Sequence, residues 1–463
     1  MSRIGGIAFF LMLIFALNVF LGKAEDTFKF RVYLNNKGAN GYSIDHPEAF
    51  LSAKAIERRT KQNILITEQD FPISTFYFDS LKAMGLKVIT HSKWNATIVV
   101  ESADSSIIHK IEALGFVDST KWVWKGSHSL SLGGRAEEET AMPSYDGECM
   151  APYGYAGKQI AMLNGMELHE RGYKGDGMVV AVIDAGFAKV DKIKAFKSLK
   201  LLGTYNFLNP KKSVFKEDAH GTRVLSCMAA NLPGTFVGTA PNASYWLLKS
   251  EDVHSEYPIE EDYWTAAVEF ADSVGVDVIS SSLGYFSFDV TELGYNWDVL
   301  DGKTTMISKT AQMAADKGLL LFCSAGNEGD RTWGTLTVPA DVRDVLTIGA
   351  VTEGLVRSSF SSIGIETDCM VKPDLVALGT GCCIIDSKGK VIYANGTSFS
   401  TPTVAGLGVC LWQALPFLTN KEIMKLLRES SSQYESPDIE FGYGIPDFYN
   451  ALEKGMENAS QSR

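Results

Sequence analysis

The chain has 463 residues, 45% of them apolar, with seven cysteines and a formal net charge of -12. That length and apolar fraction support a large core and more than one folded unit, and they exclude a disordered chain. The negative charge, with no cluster of lysine or arginine, argues against a nucleic-acid partner or an anionic membrane surface.

Arg3 precedes an apolar run from Ile4 to Leu21, closed by Gly22-Lys23-Ala24 with small residues where a signal peptidase reads. Residues 1–24 therefore read as a secretory signal cut after Ala24. The run is nearly long enough to span a bilayer, but its small-residue end favours cleavage over a retained anchor. No cysteine lies near the cut to carry a lipid. Later apolar runs all contain glycines and charges, so the mature chain is expected to be exported, to the periplasm or beyond it, with no transmembrane segment. An exported chain with an odd number of cysteines keeps at least one unpaired. Cys227, Cys323 and Cys410 stand in apolar runs and are expected in the core, whereas Cys369, Cys382 and Cys383 stand in a loop-like stretch that leaves room for one disulfide. No Cys/His spacing matches a zinc site.

From residue 25 to 126 the pattern is that of a small α+β unit. Strands are predicted at Phe28 to Leu34, Lys87 to Thr90 and Ala96 to Glu101, and helices at Glu48 to Gln62, Thr75 to Met84 and Ser105 to Leu114. Residues 127–149 turn to Gly and Ser with a Glu137-Glu138-Glu139 run and few large apolar side chains, an exposed linker. Residues 150–456 form the second unit and 457–463 a C-terminal tail. Within that unit Gly177 to Asp184 is a continuous apolar run closed by an acid, as in strands buried on both faces of a parallel sheet. Similar runs recur at Tyr245 to Leu248, Val276 to Ser281, Leu319 to Ser324 and Val345 to Val351. Helical patterns at Thr222 to Ala230, Glu260 to Val274 and Thr304 to Lys317 alternate with them. The fold class is therefore α/β, a doubly wound, mostly parallel sheet with helices on both faces and ligands at the carboxyl ends of its strands.

Four residues stand where such a sheet puts its chemistry. Asp184 closes the first buried strand, and no G-x-G-x-x-G turn accompanies it to suggest a dinucleotide site. His220 opens His220-Gly221-Thr222, a small-residue turn leading into an apolar helix. None of the other six histidines has that setting. Asn327 follows a buried strand in Ser324-Ala325-Gly326-Asn327, where a side-chain amide can stabilise an oxyanion if a nucleophile is near. Ser398 lies in Asn395-Gly396-Thr397-Ser398-Phe399-Ser400-Thr401-Pro402, a polar turn running into the apolar stretch Val404 to Ala414. A hydroxyl at a helix entrance, beside free amides and the positive end of the helix dipole, suits a nucleophile as well as a cap.

Taken in order, Asp184, His220-Gly221-Thr222, Ala325-Gly326-Asn327 and Gly396-Thr397-Ser398 with Pro402 resemble the subtilisin-like serine peptidases of bacterial secreted type, over roughly Pro152 to Leu452. Further matches are Gly238-Thr239-Ala240-Pro241, Ser282-Leu283-Gly284, Lys372-Pro373-Asp374 and Gly442-Tyr443-Gly444. Each motif alone is weak, but the ordered set is specific. The resemblance implies that Ser398 attacks the peptide carbonyl, that His220 is the general base and then the acid, and that Asp184 orients the imidazole. The Asn327 amide and the Ser398 N–H would hold the oxyanion. It further implies that Ser282-Leu283-Gly284 and Ser324-Ala325-Gly326 bind substrate backbone and wall the main specificity pocket, and that residues 25–126 are a propeptide acting as an intramolecular inhibitor.

The sequence departs from the family pattern at Phe399-Ser400 after the serine and at Arg223 after the histidine. Asn231 to Val237, where relatives carry a calcium loop, holds no carboxylate, so structural calcium has no support there, and the chemistry requires no cofactor. The expected activity is an exported serine endopeptidase made as a zymogen, acting on peptide or protein substrates. Its rivals are an exo- or tripeptidyl-type peptidase, which needs a charged group at one end of the cleft, and an inactive peptide-binding scaffold.

Overall fold

The computed structural model describes residues 27–126 and 151–461. The expected signal and linker lie outside them. Residues 27–126 build a four-stranded sheet in the order Lys87–Ser92, Thr97–Ser102, Thr27–Leu34, Val117–Gly126. All of its pairings are antiparallel. Phe30, Val32, Ile98 and Val100 point to one face and pack with Leu81 and Ile111 from the helices. The stretch expected as one helix from Glu48 to Gln62 is instead a 3-10 turn, Pro47–Ala49, followed by the helix Ala53–Lys61. The break falls at Ser52, whose hydroxyl accepts the Ala55 N–H and starts the second helix afresh.

The second unit is built on a seven-stranded sheet in the order Leu375–Leu378, Leu346–Val351, Leu320–Ser324, Val278–Ser281, Val179–Asp184, Ser244–Lys249, Lys200–Asn206. Every pairing in it is parallel. Along Val179–Asp184 the side chains alternate between two cores. Val180 and Val182 join the layer containing the helix Thr397–Ala414, while Val179, Ala181 and Ile183 join the layer with the helices Ile259–Ser273 and Met306–Asp316. Burial on both faces is why the run reads as uniformly apolar. The last helix, Phe448–Gln461, continues through residues assigned above to the tail. Cys382 and Cys383 are not loop residues. They are buried in the hairpin strand Cys382–Ile385, and none of the six described cysteines is disulfide-bonded.

The small unit sits on the helices Ile259–Ser273 and Met306–Asp316 through buried charge. Arg31 forks onto Asp262 at 2.7 Å and 2.7 Å. Arg58 and Arg59 share the Asp272 carboxylate, and Arg59 and Lys317 both hold Asp70. Glu269 accepts the Ser92 hydroxyl and the backbone N–H groups of Lys93 and Trp94. Trp124, near the end of the unit's last strand, packs 6.2 Å from Tyr257, in the loop beyond the carboxyl end of Ser244–Lys249.

Candidate active site

Asp184, Lys249, Ser281 and Ser324 end four neighbouring parallel strands, so whatever follows each of them gathers at one edge of the sheet. Asp184 is fully buried. Its Oδ1 accepts the Ala185 N–H at 2.7 Å and meets His220 Nδ1 at 2.7 Å. Its Oδ2 has no partner. Burial pushes the carboxyl above its ordinary range, opposed by the His220 ring. His220 is the first residue of the helix His220–Ala229, and its own N–H is held by Asp218 Oδ1 at 2.7 Å. Gly221 lets this helix end come so close: a Cβ there would lie 2.6 Å from the Gly186 carbonyl oxygen and 2.9 Å from Asp184 Cβ.

Ser398 is the second residue of Thr397–Ala414, and Phe399 beside it lies 6.2 Å from the His220 ring, centroid to centroid. Asn327 Oδ1 faces both the N–H and the hydroxyl of Thr397, each at 3.0 Å. Because a backbone N–H can only donate, the atom facing it must be the amide oxygen, and the Asn327 NH₂ is turned the other way. Pro402 lacks the N–H that would bond the Ser398 carbonyl one turn back. The Ser282 hydroxyl donates to that carbonyl instead, at 3.0 Å. Ser282 is thus tied to the serine turn from below, a contact that spacing in the sequence could not reveal.

Ser282-Leu283-Gly284 leaves the strand Val278–Ser281, and Ser324-Ala325-Gly326 closes the neighbouring strand Leu320–Ser324. Leu283 packs against the core beneath the helices Ile259–Ser273 and Met306–Asp316. The Ala325 N–H and C=O are both committed, to Ile348 and Thr337, and the Gly326 carbonyl accepts from Ser362. This second segment is therefore more a wall than a backbone-binding edge.

Among the described residues, Glu251, Glu256 and Glu260 bring one carboxylate oxygen each within 4.8 Å of one another. Glu251 accepts the Tyr285 hydroxyl and Glu260 accepts the Asp252 N–H. Burial, with Glu256 beside it, pushes the Glu251 carboxyl up to about 8. The hairpin Asn231–Leu232 with Phe236–Val237 occupies the stretch that lacks a carboxylate. Among the described residues no helix is long and apolar enough to cross a membrane.

A sequence model of the subtilase family, peptidase S8, matches residues 175–444. A second, described as the peptidase S8 propeptide domain of Bacteroidota, matches residues 29–140. Subtilisin NAT of Bacillus subtilis subsp. natto is 30% identical over 299 residues, covering 64% of this chain and 69% of that protein. The thermostable alkaline protease of Halalkalibacterium halodurans is 26% identical over 368 residues, covering 78% and 89%. Among solved structures, a mutant of the protease domain of PatA superposes with a TM-score of 0.50 at 20% identity, covering 62% of this chain and 98% of that one, a likeness of fold alone.

Proposed function

The chain belongs to the subtilase family of serine peptidases and carries that family's propeptide domain; from this premise we propose an exported endopeptidase, latent as made, that cuts internal bonds of protein substrates through Asp184, His220 and Ser398. The observation that carries the reading is the 2.7 Å contact between a fully buried Asp184 and His220 Nδ1, beside a serine at a helix entrance.

Asp184 Oδ1 keeps the ring proton on Nδ1, so Nε2 presents its lone pair to the cleft. Ser398 Oγ attacks the carbonyl carbon as Nε2 takes its proton. The tetrahedral oxyanion is held by the Ser398 N–H and the Asn327 NH₂, and collapse expels the amine, which receives the proton from Nε2. Water then repeats the sequence on the acyl-enzyme. The N-terminal unit supplies latency: it is matched by the family's propeptide domain, and Trp124 in its last described strand packs against Tyr257, in the loop beyond the carboxyl end of Ser244–Lys249. Export rests on the signal-like residues 1–24.

A fluorophosphonate should label Ser398 in the mature enzyme and leave Ser398→Ala unlabelled, inactive and folded. Undiminished hydrolysis by pure Ser398→Ala, or no labelling of an active wild type, overturns the assignment. An unlabelled wild type that binds peptides without cutting them would be a scaffold. One observation favours a second, exopeptidase reading: the carboxylates of Glu251, Glu256 and Glu260 stand beside Tyr285, which continues the Ser282-Leu283-Gly284 segment. Products from a long peptide, with its N-terminus free or acetylated, distinguish the two.

A further inference from the structure

Two of the six described cysteines face each other. Cys227 lies two turns beyond His220 in the helix His220–Ala229, and Cys382 opens the hairpin strand Cys382–Ile385. Both are fully buried, and their thiols stand within hydrogen-bonding reach of one another. The strand is seated on the helix beside them: the Ile385 N–H donates to the Ser226 hydroxyl at 3.0 Å, and that hydroxyl donates to the Arg223 carbonyl at 2.6 Å. Gln159 Oε1 accepts the Cys382 thiol at 3.3 Å and the Cys383 N–H at 3.1 Å, which fixes the register further. Thr403, on the helix that begins at Thr397, hydrogen-bonds the same thiol. The pair therefore lies where the histidine helix, the serine helix and the hairpin meet.

The remaining described cysteines are placed differently. Cys383 points to the other face of its strand, towards Tyr393 opposite it. Cys323 belongs to the other core layer, and Cys410 donates to the Thr239 carbonyl at 3.2 Å. Cys369 is exposed.

We infer that Cys227 and Cys382 are joined by a disulfide in the exported protein, and that this bond clamps the helix carrying His220 to the hairpin that leads into Ser398. The second hairpin strand, Val391–Ala394, runs through Asn395-Gly396 straight into the helix Thr397–Ala414. The structure shows both cysteines as free thiols, the reduced form of the pair. The inference rests on export, since a disulfide forms and persists in an oxidising compartment. One thiolate attacks an incoming disulfide, protein-borne or small, and expels one thiol; the second attacks the mixed disulfide and expels the other. The S–S bond gained by the protein replaces the one broken in the reagent, and two protons and two electrons leave with the reagent's two thiols. The Cys227 thiol, together with burial, pushes the Cys382 thiol well above its ordinary range. A thiol so placed is inert once the core has closed, so the exchange belongs to folding.

The test is a peptide map of the enzyme purified from its own cells, denatured in iodoacetamide without reductant. The expected product is a peptide pair linking Cys227 to Cys382 that reduction splits, with Cys323 and Cys410 alkylated from the start. In parallel, the reduced and denatured full-length Ser398→Ala chain is refolded either in a glutathione redox buffer or in excess reductant. The oxidised product should contain the same link and melt about 5 °C or more above the reduced one, because the link closes a long loop. Cys227→Ala should abolish that difference, whereas Cys369→Ala should leave it intact. Cys227 and Cys382 alkylated in both preparations, or either of them linked to another cysteine, overturns the pairing. A link that brings no melting difference overturns the clamp. A link in the refolded chain that is missing from the cellular enzyme upholds the pairing and overturns export.

Discussion

Asn327 illustrates how much a single side chain is constrained by what it already touches. Its Oδ1 is occupied twice by Thr397, which ties the end of the strand Leu320–Ser324 to the start of the serine helix and fixes which end of the amide can reach a substrate. A leucine there keeps most of the volume but loses both functions. Asn327→Leu should lower kcat by about 10² to 10³ with little change in KM, because the NH₂ bond strengthens as negative charge develops on the carbonyl oxygen. Kinetics on a short chromogenic peptide, paired with a melting curve, check this. A folded variant that keeps most of its kcat would place the oxyanion donor elsewhere, and equal losses in binding, turnover and stability would mark a structural role through Thr397.

At the scale of elements, the entrance of the helix Thr397–Ala414 depends on a repair. Pro402 deletes one backbone hydrogen bond at Ser398, and Ser282 from another strand end replaces it. Ser282→Ala should therefore reduce kcat by roughly tenfold, a loss of about one neutral hydrogen bond. In a Pro402→Ala background, where residue 402 regains its N–H, the same Ser282→Ala change should cost clearly less. A double-mutant cycle that returns no coupling between positions 282 and 402 would separate them. Neither residue advertised this link in the sequence, since it joins a loop serine to a carbonyl more than a hundred positions away. What the sequence did carry was set by burial. Central strands such as Val179–Asp184 and Leu320–Ser324 are apolar on both faces and were legible within a residue or two. The edge strands Lys200–Asn206 and Val117–Gly126 were not, because an edge strand is half solvated and its pattern dissolves into polar residues, and the buried edge strand Leu375–Leu378 was not because four apolar residues are too short a run to read. The four residues of the candidate site were legible because each stands in a small-residue turn at a strand or helix end.

Over the whole molecule, the two units meet through ion pairs that exist only while both are present. Asp272 faces Arg58 and Arg59 together, all three of them buried. Asp272→Asn leaves Arg58 without its counter-charge and Arg59 with Asp70 alone, and breaking a buried pair costs about 3–5 kcal/mol. The full-length Ser398→Ala precursor should thus lose stability on this change. The mature enzyme, freed of residues 25–126, should not, because Asp272 then faces water. Melting curves of both forms with and without the substitution test this, and an equal loss in the two forms would mean that Asp272 serves its own helix and not the interface.

The same ion pairs determine what surface is left behind when the units part. The helix Ile259–Ser273 carries Glu261, Asp262, Glu269 and Asp272 under the N-terminal unit, beside an apolar patch of Ile259, Tyr263, Phe207, Leu208 and Tyr257. Parting therefore hydrates four carboxylates beside that apolar patch and gives the mature enzyme a negatively charged flank. Activated molecules should consequently repel one another along that flank, and the enzyme should stay dispersed after losing a partner that covered two of its helices.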